Sequence, residues 1–226
     1  MPSTITKQLQ SIVKEPKQTA DAVVIWLHGL GDSAKGFSDV VPVLKLSSNH
    51  RIRFVFPNAP QQPVTINGGY VMRSWYDIKT MDLEGRADLA TLQQSELLIK
   101  QLVAEQINSG IKSERIIIAG FSQGGVLALY TGLRLKQKVA GIAGLSCYLA
   151  EQSLPTFGSQ AINSKTPIFS SHGEQDMTVP FSAGKEAARQ LADAGFNVQW
   201  SQYPMEHWVC EPQLNKLGQW IEQALA

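Results

Sequence analysis

A serine with glycine two residues away on either side, Gly120-Phe121-Ser122-Gln123-Gly124, is an arrangement that presents a hydroxyl as a nucleophile on a tight strand-to-helix turn. The glycines let the turn pack without Cβ clashes. The N–H groups at the start of the following helix then point at charge developing beside the serine. The surroundings fit: Ile116-Ile-Ile-Ala119 leads in as a strand, and Gly125-Val-Leu-Ala-Leu-Tyr130 leads out as a helix. In folds that use this turn, the acid and then the histidine follow the serine in the chain. Only His172 and His207 come after Ser122, and the one carboxylate between Ser122 and His172 is Glu151, in a polar loop. His207 is therefore the expected general base, accepting the Ser122 proton and returning it to the leaving group.

The acid must come from the residues before His207. Glu186 and Asp193 fall on an expected helix, and Glu206 adjoins the histidine itself. Glu174 and Asp176 stand just past a strand, in His172-Gly-Glu-Gln-Asp176. Catalytic groups of open α/β sheets gather at the carboxyl ends of strands. The short side chain of Asp176 suits a buried group that orients an imidazole, with Glu174 in reserve. The carbonyl oxygen that gains charge during attack needs fixed donors. The N–H of Gln123 is one. The N–H of Leu30, in the glycine-rich His28-Gly-Leu-Gly-Asp32, is the other expected donor. His28 precedes the nucleophile and reads as a structural, hydrogen-bonded histidine.

These residues need a scaffold that brings strand ends together. Short apolar runs at 22–27, 52–56, 115–119, 139–145 and 167–170 read as strands buried on both faces, and 197–203 as a weaker alternating strand. An edge strand is expected within the first 14 residues. Helical patterns cover 86–108, 123–136, 181–194 and 211–225, and another helix starts near Ser33. Strands alternating with helices predict an α/β protein with a mostly parallel sheet. The stretch 57–83 reads as a long irregular loop, and loops of that length usually serve function. Nothing in the 226 residues marks a second unit, so a single domain over 1–226 is expected.

Composition narrows the partners. A net charge of +1, with scattered charges, argues against nucleic acid and acidic membrane surfaces. No apolar run reaches the length of a membrane span, and the N-terminus lacks a signal peptide's apolar region. The two cysteines, Cys147 and Cys210, suggest neither a disulfide framework nor a metal site, and the cytoplasm is the expected compartment. No dinucleotide fingerprint is present, so no cofactor and no metal are expected.

With these residues assembled, the chain resembles the small carboxylesterase, lysophospholipase and acyl-protein thioesterase family, with the bacterial carboxylesterase branch nearest in wording. The resemblance is carried by Leu27-His-Gly-Leu-Gly-Asp32, Pro57-Asn-Ala-Pro60, Pro63-Val-Thr-Ile-Asn67, Ser74-Trp-Tyr-Asp77, Gly120-Phe-Ser-Gln-Gly-Gly125, Leu145-Ser146, His172-Gly173 with Asp176, and His207. It implies the α/β-hydrolase fold, a mostly parallel central sheet with helices on both faces and no large cap domain. It also implies hydrolysis of carboxylic esters or thioesters of short-to-medium acyl chains, with lysophospholipids or S-acylated proteins as the longer-chain alternative. A non-catalytic binding protein on the same fold would ordinarily lack one of the three catalytic groups, and all three are here. An apolar groove is implied beside the nucleophile, with the 63–78 loop on one wall and Trp75 lining it. Exposed apolar residues near that loop would serve substrate access or a weak homodimer. Two departures from the family wording, Glu206 before His207 and Arg73 before Ser74, bear on substrate preference and pH optimum.

Overall fold

Four apolar segments of this chain are buried along their whole length and a fifth, 52–57, at all but Arg53, so both of their faces must be covered. The computed structural model describes residues 9–150, 153–154 and 161–226, and it arranges these segments as neighbours in one sheet. Its strands are β1 (Ser11–Lys14), β2 (Ala22–Leu27), β3 (Ile52–Pro57), β6 (Ile116–Phe121), β7 (Gly141–Leu145), β8 (Ile168–Gly173) and β9 (Val198–Tyr203). Two further strands, β4 (Gln61–Val64) and β5 (Tyr70–Arg73), form a separate hairpin. The spatial order of the sheet is β1-β3-β2-β6-β7-β8-β9. Every neighbour pairs in parallel except β1, which runs antiparallel to β3 at the edge. This is the mostly parallel α/β sheet that the alternation of elements predicted.

Side chains alternate between two cores, one on each face. Val23, Ile25 and Leu27 of β2 pack on one side with Ile116 and Ile118 of β6. That side is covered by α2 (Leu89–Asn108), α3 (Gln123–Arg134) and α4 (Phe181–Asp193), through residues such as Leu92, Ile99, Val126 and Leu191. Val24, Trp26, Ile117 and Ala119 point the other way. They meet α1 (Ala34–Ser38) through Phe37, and α5 (Glu211–Ala224) through Leu217, Trp220 and Ile221.

Most boundaries fall within two or three residues of the expected ones, and the differences have physical causes. Helix α2 begins at Leu89 rather than 86, because Asp88 caps it by accepting from the Thr91 N–H at 2.8 Å. The largest departure lies in 57–83, expected to be irregular. There β4 and β5 pair with Gln61 opposite Arg73 and Val64 opposite Tyr70. Two strands of four residues, one holding Pro63, carry no usable periodicity. Their connection, a 3-10 turn followed by Gly68 and Gly69 at φ 67° and 78°, looks like a loop in sequence. Glu151 and residues 1–8 lie outside the described residues.

Candidate active site

The carboxyl ends of β2, β6, β7, β8 and β9, five strands adjacent in the sheet, deliver the segments that carry the expected chemistry. Ser122 follows β6 directly and precedes α3, at φ 53° and ψ −121°, a conformation L-residues avoid. Its flanking glycines have specific reasons. A Cβ on Gly120 would collide with the Gly124 carbonyl, and one on Gly124 with the carbonyls of Leu27 and His28. Only glycine at both positions lets β2, β6 and α3 close around the serine. The Ser122 N–H is held by Leu145 O of β7 at 2.8 Å, so the neighbouring strand also sets the turn.

His207 stands past β9 and bridges the other two groups. Its Nε2 lies 2.8 Å from Ser122 Oγ, and its Nδ1 lies 2.7 Å from Asp176 Oδ2. Since an ionised carboxylate only accepts, Nδ1 carries the proton and Nε2 is free to accept from the serine hydroxyl. The ring also packs on Phe121, with centroids 4.9 Å apart. Asp176 is 4 % exposed. Its Oδ1 accepts from the Thr178 and Val179 N–H groups, each at 2.9 Å. Burial alone would push this carboxyl's pKa up. The hydrogen bonds from His172, His207 and Val179 outweigh it and hold the group well below the usual carboxylate range. Asp176 is therefore an anion at neutral pH. Glu174, the reserve acid, is exposed and accepts instead from Gln202 Nε2 at 2.7 Å. Glu206 is exposed as well and has no ion pair with His207 among the described residues.

His172, set aside as a base, touches the same acid. Its Nε2 lies 2.8 Å from Val179 O and 3.3 Å from Asp176 Oδ2, and the ring is fully buried. An Nε2–H serves both acceptors.

The two expected oxyanion donors flank Ser122. Leu30 and Gln123 line the same cavity as Ser122 and His207. Gln123 opens α3, so its N–H has no partner within the helix. In the other turn the Gly31 N–H is taken by Arg73 O at 2.8 Å and the Asp32 N–H by Gly29 O at 3.3 Å. The Leu30 N–H has no such partner among the described residues. His28 braces this turn as a neutral ring: Nδ1–H donates to Gly29 O at 2.7 Å and Nε2 accepts from the Ala59 N–H at 3.0 Å. Burial holds its pKa below the ordinary value.

Trp75 is a correction. It is fully buried and does not line the cavity, so it is not a groove residue. Its indole N–H needs an acceptor once buried, and finds His28 O at 2.9 Å. The ring lies 5.3 Å from that of His28. Trp75 thus sits behind the Leu30 turn rather than in front of it. The side chain of Gln123, unremarked in the sequence, is a second brace. Its Oε1 accepts from the Trp75 N–H at 2.8 Å, and its Nε2 donates to Ser74 Oγ at 2.9 Å and Tyr76 O at 2.7 Å.

The cavity in front of Ser122 has a volume of about 360 Å³. Ile66, Ile78 and Met81 supply apolar wall from the 57–83 stretch, so that segment does border the site. Tyr76, Tyr148 and Arg86 also line it, and none was marked in advance. The Tyr76 and Tyr148 hydroxyls are 3.1 Å apart. A hydroxyl relayed to a buried carboxylate, two free N–H groups beside it, and a mainly apolar pocket are the parts needed for acyl transfer.

Comparisons with known proteins agree. A model of the phospholipase/carboxylesterase family matches residues 9–225. An acyl-protein thioesterase 1 from Debaryomyces hansenii is 39% identical over 216 residues, covering 91% of this chain and 92% of the relative. Another from Neurospora crassa is 35% identical, covering 90% and 87%. Among solved structures, Arabidopsis thaliana SOBER1 superposes with a TM-score of 0.83 at 33% identity, covering 91% of this chain and 99% of the other. Zea mays acyl-protein thioesterase 2 gives 0.82 at 26% identity, covering 96% and 99%.

Proposed function

The chain belongs to the phospholipase/carboxylesterase family, and from that premise we propose that Ser122, His207 and Asp176 hydrolyse carboxylic esters or thioesters through an acyl-serine intermediate. The protein is a serine hydrolase of the α/β-hydrolase fold acting on esters or thioesters. The observation that carries the assignment of residues is the continuous relay from Ser122 Oγ to His207 Nε2 at 2.8 Å and from His207 Nδ1 to Asp176 Oδ2 at 2.7 Å.

In the proposed sequence Ser122 Oγ attacks the carbonyl carbon while its proton passes to His207 Nε2. The carbonyl oxygen, now negative, accepts from the Leu30 and Gln123 N–H groups. Collapse breaks the bond to the alcohol or thiol, which leaves with the proton from His207. Water then repeats the attack on the acyl-serine, giving the carboxylic acid and restoring the hydroxyl. Asp176 keeps the imidazole in the tautomer that can accept, and stabilises the imidazolium between steps.

A cavity of about 360 Å³ supports short-to-medium acyl chains. Longer chains, as on lysophospholipids or S-acylated proteins, have support of their own. A second depression, where Leu83, Leu149, Leu154 and Ala187 stand beside Glu84, Glu186 and Gln190, shares Tyr148 with the first. Relatives are named acyl-protein thioesterases. The proposal includes a single domain, supported by the reach of the family match over 9–225. It also includes a cytoplasmic setting, in keeping with two free cysteines. No helix among the described residues is long and apolar enough to cross a membrane. Tyr70 and Val71, exposed on the hairpin, are the residues for substrate access or a weak homodimer contact.

The test is turnover of p-nitrophenyl esters of graded acyl length by the wild type, Ser122→Ala and His207→Ala. Each variant is expected to lose on the order of 10⁴- to 10⁶-fold in kcat while keeping its circular dichroism. A folded Ser122→Ala protein with wild-type rates would remove the central assignment.

A further inference from the structure

Arg86 is the only buried arginine among the described residues, at 6 % exposure, and it lines the cavity that holds Ser122 and His207. Its backbone is tied into the wall, with N–H to Leu83 O at 3.4 Å and its carbonyl accepting from the Lys79 N–H at 3.0 Å. The guanidinium is much less satisfied. One Nη donates to Thr178 O at 3.3 Å, and the guanidinium carbon stands 5.5 Å from the centre of the Tyr148 ring. Nε is buried without a hydrogen-bond partner. Arg51, Arg53, Arg115, Arg134 and Arg189 each reach a carboxylate within ion-pair distance, and Arg73, which does not, is only half-buried. Arg86 reaches none among the described residues; Asp82 and Glu84 of its own loop are exposed and form no ion pair with it.

A buried cation is costly unless it is paired. One carbonyl and one aromatic face offset only part of that cost. A planar guanidinium in a largely apolar pocket is suited to a carboxylate or phosphate, which it binds in a two-pronged, charge-assisted fashion. We propose that Arg86 is an anion-recognition residue of this pocket, pairing with a carboxylate or phosphate carried by the substrate hydrolysed at Ser122. The inference rests on the reading of Ser122 as nucleophile. It adds that the preferred ester or thioester carries a negative group beyond its scissile bond.

Two matched pairs of substrates test this and separate the sources of charge. Mono-p-nitrophenyl adipate against p-nitrophenyl hexanoate places a carboxylate on the acyl side. Butanoyl-glycerol 3-phosphate against butanoyl-glycerol places a phosphate on the alcohol side. The quantity read is the ratio of kcat/KM, anionic over neutral, within each protein. In Arg86→Gln that ratio is expected to fall about 10- to 100-fold from wild type in one pair. Arg86→Lys, which keeps the charge but not the fork, should lie between. Where Arg86→Gln does not fold, Arg86→Lys is read alone: a lowered ratio sustains the proposal, and equality with wild type overturns it. Unchanged ratios in both pairs overturn it too. So does an equal loss on anionic and neutral esters, the mark of an arginine that only braces Thr178. If the wild type hydrolyses none of the four, the nucleophile reading fails separately. Calorimetric titration of the intact compounds then decides: anion binding lost in Arg86→Gln sustains the site, and binding that is absent or unaffected by the substitution removes it.

Discussion

Asp176 accepts four N–H groups, from His207, His172, Thr178 and Val179, and this arrangement separates its ionisation from that of an ordinary aspartate. Its pKa is depressed on folding, so the unfolded chain binds the proton more readily than the folded one. The stabilisation it gives is therefore complete above the unfolded value of about 3.9 and lost as pH falls toward the lower folded value. Comparing wild type with Asp176→Asn, the difference in melting temperature should be flat from about pH 5 to 8 and shrink below about pH 4. A difference that instead vanished near pH 6 would mean that this carboxyl is not held as an anion. The same variant should lose on the order of 10⁴-fold in kcat, because an asparagine no longer fixes the Nδ1–H tautomer. Cys147 shows the opposite effect of burial. Burial pushes its thiol up to about 12, and it is a small apolar filler against α3 rather than a reactive group.

At the scale of elements, strands and helices set coarse positions and cross-braces set the fine ones. The Gln123 side chain ties the start of α3 to Ser74, Trp75 and Tyr76 by three hydrogen bonds, while its N–H stays free to face the carbonyl oxygen. Gln123→Ala separates the two roles, since it keeps the N–H and removes the brace. The buried Trp75 N–H loses its acceptor while Tyr76 O keeps the Ser74 hydroxyl, so destabilisation of about 1–3 kcal/mol is expected. Turnover should fall with it, with much less loss than for Ser122→Ala. A melt and a rate both equal to wild type would show the brace to be idle. The grouping of Ser122, His207 and Asp176, the proposed nucleophile, base and acid, was legible because chain order and strand ends leave few choices among four histidines. The parallel strands were legible because apolar runs buried on both faces have no other simple reading. The hairpin was not, since β4 and β5 are short and carry Pro63 and paired glycines. Trp75 was misread because an indole near a nucleophile suits a groove wall or a core equally, and only its bond to His28 O decides. Arg86 was invisible for a different reason: an arginine in a polar stretch reads as solvated until burial shows otherwise.

Across the whole molecule, the carboxyl end of the sheet collects both the groups proposed to react and the cavity proposed to hold the acyl chain. The cavity at Ser122 is bounded by the 57–83 stretch on one side and by Tyr148, Thr178 and Val179 on the other. Tyr148 also lines the second depression, of about 560 Å³, which α4 borders from Ser182 to Gln190. On the proposed function, an acyl chain that outgrows the first space would pass Tyr148 toward Leu149, Leu154 and Ala187. A short chain ends before it. On that route α4 would limit chain length from a distance, since its residues line the second depression. Ser182 is exposed on that helix and borders only the second depression, so a large side chain there fills the space without disturbing the core. In Ser182→Trp the ratio of kcat/KM for dodecanoyl over butanoyl p-nitrophenyl esters should fall about tenfold or more, as buried methylenes worth about 0.8 kcal/mol each are displaced. The wild type should show rates still rising beyond the medium chains. A ratio unchanged by the tryptophan would confine the acyl chain to the cavity at Ser122, and the molecule would then act on the shorter esters alone.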